Sequence, residues 1–506
     1  MKSTVTLDGE TLSVADVIAV ARRGAAVALS AGARTRMAAT RGVVEQIVER
    51  GAPVYGVNTG FGKLSEITIP NDQLAALQRN LIRSHAAGVG DPLPDEVVRA
   101  MTLLRANVLA KGHSGARPII ADALIGFLTH GIVPVVPEHG SVGASGDLAP
   151  LAHLARALLG EGSVRVDGAT VDAAAALAKA SLEPVVLEAK EGIALINGTQ
   201  AHTAIAALAA HDTRVLWETA NVAGAMSLEA LMGTPDAFDA RIHAVRGQTG
   251  QAVAGERLRM LLANSEIRES HRANDPRVQD AYALRCMPQV HGPAWDALEF
   301  ATGVITRELN AATDNPLVFA DGSMLSGGNF HGQAVGMACD VLAIAVANLA
   351  VMAERRIDRL VNPDLNQGLT AFLAAQPGLE SGLMMVQVTA AALASECKLL
   401  AHPATVDSIP TDGSREDVVP MAMGAARKLR RSVQHLTSVL AIELVCGAAG
   451  LDQRAPLRPS REVVKAHAAV RNLVAAQVHD RAPSDDIARI AAAITAGTFV
   501  PAGVMS

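Results

Sequence analysis

A chain of 506 residues, half of them hydrophobic and 19% charged, is long enough for a large buried core and for up to roughly three domains. Only 2% of it is aromatic, so that core must be packed with Ala, Leu, Val and Ile, which suits close-packed helices better than a β-sandwich. A net charge of −6 argues against nucleic acid or an anionic membrane as partner.

The first eight residues carry no apolar signal core. Val5 and Leu7 alternate, Asp8-Gly9 reads as a turn and Thr11-Leu12 as the return, so a hairpin is predicted. Ser13 and Asp16 have capping-box spacing and open a helix to about residue 23. Helical runs follow at about 33–50, 71–86 and 94–111, the last with Pro94 at its start, Asp95 and Glu96 in its first turn and Gly112 beyond its end. Asp-Gly pairs predict two more hairpins, over 164–171 and 318–324.

From about residue 197 the pattern changes to long, Ala-rich helices at 200–232, 286–312, 331–361, 379–402 and 422–448. The predicted fold is mainly α. Residues 1–196 form a smaller mixed part and residues 197–506 a long-helix body suited to oligomerisation. The most membrane-like stretch, 341–352, is too short to cross a bilayer and lies between Asp340 and Glu354-Arg355-Arg356, so a buried bundle helix is expected. Cys286, Cys339, Cys397 and Cys446 are far apart with no Cys-x-x-Cys pair, which points to a reduced, cytoplasmic protein without disulfides or a metal cluster.

The most informative stretch is Gly140-Ser141-Val142-Gly143-Ala144-Ser145-Gly146-Asp147-Leu148-Ala149-Pro150-Leu151-Ala152-His153. A Ser in a Gly-rich turn is usually a loop residue, and the segment is neither a Gly-x-Ser-x-Gly elbow nor a phosphate loop. Gly146 lacks a Cβ, so its amide nitrogen can approach the Ala144 carbonyl carbon without a side-chain clash. Attack there closes a five-membered ring. Loss of two waters, one from the Ser145 hydroxyl, leaves an exocyclic methylene, an electrophile that no ordinary side chain supplies.

The only two tyrosines lie in segments of unusual character. Tyr55 opens Tyr55-Gly56-Val57-Asn58-Thr59-Gly60-Phe61-Gly62, a glycine-rich loop. Tyr282 lies in a run where Asp275 reads as an N-cap, Pro276 as the first helical residue and Pro288 as the stop. On such a helix Gln279, Tyr282 and Arg285 share one face, which suits carboxylate binding as well as it suits a plain exposed polar face.

The fourteen-residue segment resembles the signature of the aromatic amino acid ammonia-lyases, in which the triplet matching Ala144-Ser145-Gly146 cyclises to methylidene-imidazolone. The Tyr55 loop, Asn197-Gly198-Thr199, 279–289, 310–316 and Gly327-Gly328-Asn329-Phe330 resemble further motifs of that family, in its order, across roughly residues 50–430. The Gly-Ser-x-x-Met-Pro-x-Lys loop of cofactor-free relatives is absent. The resemblance implies an aspartase/fumarase-like helical fold, usually a homotetramer with active sites shared between subunits, and no metal or diffusible cofactor. It implies Tyr55 as the base for the β-proton and Arg285 as the carboxylate partner. Asn197, Gln279 and Tyr282 are then expected to position the amine and polarise the electrophile, with Phe330 in the substrate pocket. A free phenol titrates near 10, so Tyr55 needs surroundings that favour phenolate.

For the substrate, Ser84-His85 resembles the histidine branch, where phenylalanine and tyrosine lyases usually carry Phe-Leu or His-Leu. Glu416 matches the family's glutamate that contacts the substrate ring, and a carboxylate suits imidazole but not phenyl. Met384 fits a histidine pocket, whereas lysine there would point to ergothioneine. Many histidine lyases read Asn-Gln-Glu-Asp-His where this chain has Ser414-Arg415-Glu416-Asp417-Val418, so Arg415 can alter the ring pocket. The expected reaction is non-oxidative deamination of L-histidine to trans-urocanate. Tyrosine or phenylalanine lyase, ergothionase and 2,3-aminomutase stay open, as does a catalytically silent helical oligomer, against which the retention of Tyr55, Ser145 and Arg285 argues.

Overall fold

The computed structural model describes residues 4–51, 53–273 and 275–501. Helices dominate it, and the strands form only two- and three-stranded pairings. The fold is mainly α, as the composition predicts.

Two compact units are present. The first comprises Met1–His211, Ala301–Asp340 and Pro403–Arg427, and the second Asp212–Phe300, Val341–His402 and Lys428–Ser506. Both are discontinuous in sequence, which differs from a sequential division at 196/197. Most of the cuts fall inside the long helices Gln200–Ala230, Met287–Leu309, Gln333–Val361 and Ala422–Asp452, where no change of composition marks them.

In the first unit, Thr4–Leu7 pairs in parallel with Ala26–Leu29, and the helix Val14–Arg23 connects them. That corrects the hairpin expected over residues 5–12. The Asp8 carboxylate accepts the amides of Glu10 and Thr11, steering the chain into the Ser13–Asp16 capping box instead of a return strand. Helices Ala31–Arg50, Leu74–His85 and Asp95–Ala110 lie where their patterns place them. Both later Asp-Gly hairpins form, Ser163–Val166 with Ala169–Asp172 and Leu317–Val318 with Met324–Leu325. Val43, Val44, Val57, Leu74, Ala189 and Val318 make one buried cluster, so Val57 anchors the Tyr55 loop from below.

The second unit is built on buried helix faces. Trp217 is fully buried, donates its indole N–H to the His291 carbonyl at 2.8 Å, and packs against Trp295. Arg356 and Glu443, both fully buried, pair at 2.5 and 2.9 Å. The helix predicted to start at Pro276 is absent. Asp275 accepts the Arg277 amide and binds its guanidinium, while Arg277 also donates to the carbonyls of Leu231 and Met232. These local polar contacts hold residues 275–281 out of helical conformation, leaving a short helix Tyr282–Arg285 followed by Met287–Leu309. Gln279 therefore does not share a helix face with Tyr282 and Arg285.

The segment 341–352, read as too short for a membrane, belongs to a 29-residue helix. Gln333–Val361 and Ala422–Asp452 are both long and apolar enough to cross a bilayer, but 72% of the most apolar window of each is buried inside the protein. Core helices have this burial.

Candidate active site

The glycine-rich loop is held from several sides within the first unit. Gly146 adopts φ +70, and a Cβ built on it would lie 2.1 Å from the carbonyl oxygen of Gly198. Only glycine fits that approach. The two residues form a parallel bridge, and the Asp147 amide donates to the Gly198 carbonyl at 2.7 Å. Asn197 donates from Nδ2 to the Ser145 carbonyl at 2.8 Å, while its buried Oδ1 has no partner among the described residues. On the other flank the Gly332 amide donates to the Gly143 carbonyl at 3.0 Å.

Asp147 fixes the far end of the loop. Its Oδ2 accepts the amides of Ala201 and His202 at 2.8 and 2.9 Å, at the first turn of Gln200–Ala230, and its Oδ1 accepts the Ser141 hydroxyl. His202 Nδ1 also lies 2.8 Å from Oδ2. Burial alone would push the Asp147 carboxyl up, but His202 and these donors hold it below the ordinary aspartate value. Burial likewise opposes a charged His202, yet the Asp147 charge raises it above the ordinary imidazole value.

Beside this loop lies a cavity of about 520 Å³. Tyr55, Ala144, Ser145, Phe330, His331, Asp412, Arg415 and Glu416 are among its lining residues. The Ser145 hydroxyl donates to Glu416 Oε1, and Glu416 Oε2 accepts from the Thr411 hydroxyl. His331 Nε2 donates to the Val418 carbonyl at 3.1 Å, tying residues 411–418 to the segment that carries Phe330. Arg415, exposed in this lining, makes no ion pair among the described residues.

Tyr55 is half-buried, and its phenol oxygen accepts the Gly62 amide at 3.4 Å. Burial pushes its pKa up, the Gly62 donor partly offsets this, and the charges of Asp412 and Glu416 push it up further. The surroundings in this structure therefore disfavour phenolate. His85 ends the helix Leu74–His85 with Nδ1 2.9 Å from the Leu81 carbonyl. A carbonyl only accepts, which assigns the proton to Nδ1 and leaves Nε2 as an acceptor. Burial lowers the His85 pKa below the ordinary value, against opposing contributions from the Leu81 carbonyl and from Asp412 and Glu416.

Gln279, Tyr282 and Arg285 belong to the second unit. The Arg285 guanidinium stacks on the Tyr282 ring at 4.8 Å, and Tyr282 is 70% exposed. Gln279 is exposed in the bend before their helix.

The family model for aromatic amino acid lyases matches residues 12–472. The chain belongs to the aromatic amino acid lyase family. Over 503 residues this lyase is 54% identical to a histidine ammonia-lyase of Sorangium cellulosum, covering 98% of each chain. It is 53% identical to one of Anaeromyxobacter sp. (strain K), over 98% of this chain and 99% of the relative. Among solved structures it is similar to histidine ammonia-lyase from Trypanosoma cruzi, with TM-score 0.91 and 41% identity over 99% and 97% of the two chains. A tyrosine aminomutase from Streptomyces globisporus is as similar in backbone, with TM-score 0.94 and 38% identity over 98% of each chain. Backbone likeness alone thus spans several reactions within the family.

The sequence reading did not single out Asp412, His331 or the His202 partner of Asp147. Asp412 had a signal, because it lies four residues before Glu416 in one polar run. His331 and His202 had none, since each gains its role through a residue far away in the chain.

Proposed function

We propose that this lyase removes ammonia from L-histidine to give trans-urocanate, using a methylidene-imidazolone formed from Ala144-Ser145-Gly146. The observation that carries the reading is the Ser145 hydroxyl bound to the Glu416 carboxylate in a cavity that Tyr55 also lines. Full-length relatives about half identical to the chain are named histidine ammonia-lyases, which supports the substrate.

The residues present fit the group. The approach of Gly146 to Gly198 leaves no room for a Cβ, and the buried Asn197 Oδ1, without a partner among the described residues, lies on the amide that already holds the Ser145 carbonyl. The bound group supplies an electrophile that captures the amine and makes ammonia a better leaving group. Asn197 holds the Ser145 carbonyl, and Glu416 sits at the hydroxyl that must depart. Tyr55 takes the β-proton, which requires its phenol to ionise against burial and two nearby carboxylates. Arg285 pairs with the substrate carboxylate through its two-donor fork, while Gln279 and Tyr282 position the amine. His85 offers Nε2 as an acceptor and Glu416 a carboxylate, so the two favour a ring bearing N–H groups over phenyl. Phe330 packs against the substrate in the same pocket.

A cytoplasmic homotetramer with sites shared between subunits completes the proposal. The second unit supports it with exposed apolar residues at helical spacing, Val341, Ile344 and Val351 on one helix and Met385, Val388 and Leu399 on another. A side-by-side assay of histidine, tyrosine, phenylalanine and ergothioneine, with product identified by mass, tests the reading. Urocanate and ammonia from histidine at the highest kcat/KM support it. A β-amino acid product means an aminomutase, and no turnover of any of the four means a silent scaffold.

A further inference from the structure

Arg105 lies in the middle of the buried helix Asp95–Ala110, and no part of its side chain reaches solvent. Burying a guanidinium is costly unless its donors are used. Here Nη1 donates to the carbonyls of Ala194 and Asn197 at 2.9 and 3.2 Å, and Nη2 donates to Gln200 Oε1. Gln200 is itself fixed, because its Nε2 donates to the Thr313 hydroxyl at 2.8 Å. The carboxylates of Asp314 and Asp147 supply nearby negative charge. Burial lowers the guanidinium pKa to about 10, which still leaves it charged at neutral pH.

The two ends of this cluster meet the cofactor-forming loop. Arg105 grips the backbone of Asn197, whose side chain holds the Ser145 carbonyl. The next residue, Gly198, is confined on both faces. A Cβ on it would lie 2.6 Å from Arg105 Nη2 and 2.7 Å from the Thr313 hydroxyl, while its own carbonyl closes on Gly146 and accepts the Asp147 amide. The guanidinium is thus the rigid wall behind the Asn197-Gly198 turn, and the loop 144–147 is the wall in front. Cyclisation needs the Gly146 nitrogen brought onto the Ala144 carbonyl carbon, a displacement that a yielding turn would not enforce.

We propose that Arg105 is a positioning residue for formation of the prosthetic group: by clamping the Asn197-Gly198 turn, with Gln200 orienting its guanidinium, it holds Ser145 and Gly146 in the arrangement that cyclises. The inference rests on the methylidene-imidazolone reading given above. Lysine at this position retains a buried cation but cannot donate to two carbonyls and Gln200 in one plane.

The test is intact mass of freshly refolded protein followed over time, with melting temperature and oligomeric state measured in parallel. Wild type is expected to become two waters lighter than its sequence mass. Arg105→Lys, folded to the same oligomer, is expected to lose those waters roughly tenfold more slowly or not at all, the scale of losing one charge-assisted hydrogen bond to a reacting segment. Gln200→Leu should show the same delay, and Gln200→Glu, which retains the acceptor for Arg105 and can accept from the Thr313 hydroxyl where glutamine donates to it, should dehydrate faster than Gln200→Leu; equal rates in the two variants overturn the proposal. If Arg105→Lys fails to fold, the contrast between the two Gln200 variants decides in its place. A folded Arg105→Lys that dehydrates at the wild-type rate overturns the proposal and leaves the prosthetic group standing. A wild type that stays at full sequence mass overturns the prosthetic group and the proposal with it.

Discussion

A methyl group on Gly146 would have to occupy the position of the Gly198 carbonyl, 2.1 Å away. The contact is backbone against backbone, so no rotamer change relieves it, and φ +70 adds strain for any L side chain. Gly146→Ala should therefore destabilise the first unit by about 2–4 kcal/mol and break the Asp147–Gly198 hydrogen bond. Denaturant unfolding checks the first outcome. A variant as stable as wild type would show that the loop moves aside freely, contrary to the tight seat described.

Ser145→Ala removes the hydroxyl that donates to Glu416 without changing the backbone of the loop. Assembly and melting temperature should stay close to wild type, since a half-exposed hydroxyl contributes about 1 kcal/mol or less. Turnover should fall by roughly 10³-fold or more, the scale of losing a covalent catalyst. Turnover within a few-fold of wild type would mean that Ser145 is not the source of the electrophile.

Much of this architecture is local and hence readable from the chain. The Ser13–Asp16 capping box, the two later Asp-Gly hairpins and the long helices all depend on neighbours a few residues away. The pairing of Thr4–Leu7 is not legible because its partner strand comes after a helix, and the non-helical course of 275–281 is not legible because Arg277 finds acceptors at 231 and 232. The site divides in the same way. Ala144-Ser145-Gly146, Asn197 and Glu416 stand in recognisable motifs. Arg105 reads as one more polar residue in an apolar helix, since its acceptors lie about ninety residues on.

The Tyr55 phenol gives a pH prediction whose sign is fixed by its neighbours. Its pKa is raised by burial first and by Asp412 and Glu416 in addition. If Tyr55 acts as phenolate, kcat/KM should rise with pH through the alkaline range and level off only above the ordinary phenol value. Removing one of the anions makes ionisation easier, so Asp412→Asn should move the rising limb toward acid. Tyr55→Phe should depress kcat far more than it alters KM, because the hydroxyl matters chiefly in the transition state. A rising limb in Asp412→Asn unmoved or displaced toward alkali would detach it from Tyr55.

In the proposed reaction, His85 and Glu416 supply the preference for imidazole. Burial lowers the His85 pKa, which favours the neutral ring, and in that form Nδ1 is engaged by the Leu81 carbonyl and Nε2 accepts. Glu416 is likewise an acceptor when ionised, and it lines the cavity beside Ser145. A phenyl ring offers neither of them a hydrogen bond in a partly desolvated site, and such mismatches discriminate strongly. L-Histidine should therefore exceed L-phenylalanine and L-tyrosine by at least ~100-fold in kcat/KM. His85→Phe with Ser84→Phe should narrow that gap mainly by damaging histidine turnover. Arg415 lines the same cavity without an ion-pair partner among the described residues, and its charge repels a protonated imidazole but not a neutral one. Arg415→Gln should accordingly lower KM for histidine most at acidic pH, where the substrate ring carries a proton, and least at alkaline pH. Steady-state kinetics across pH separate the two effects: a KM ratio between variant and wild type that stays flat with pH places the Arg415 charge outside the ring pocket.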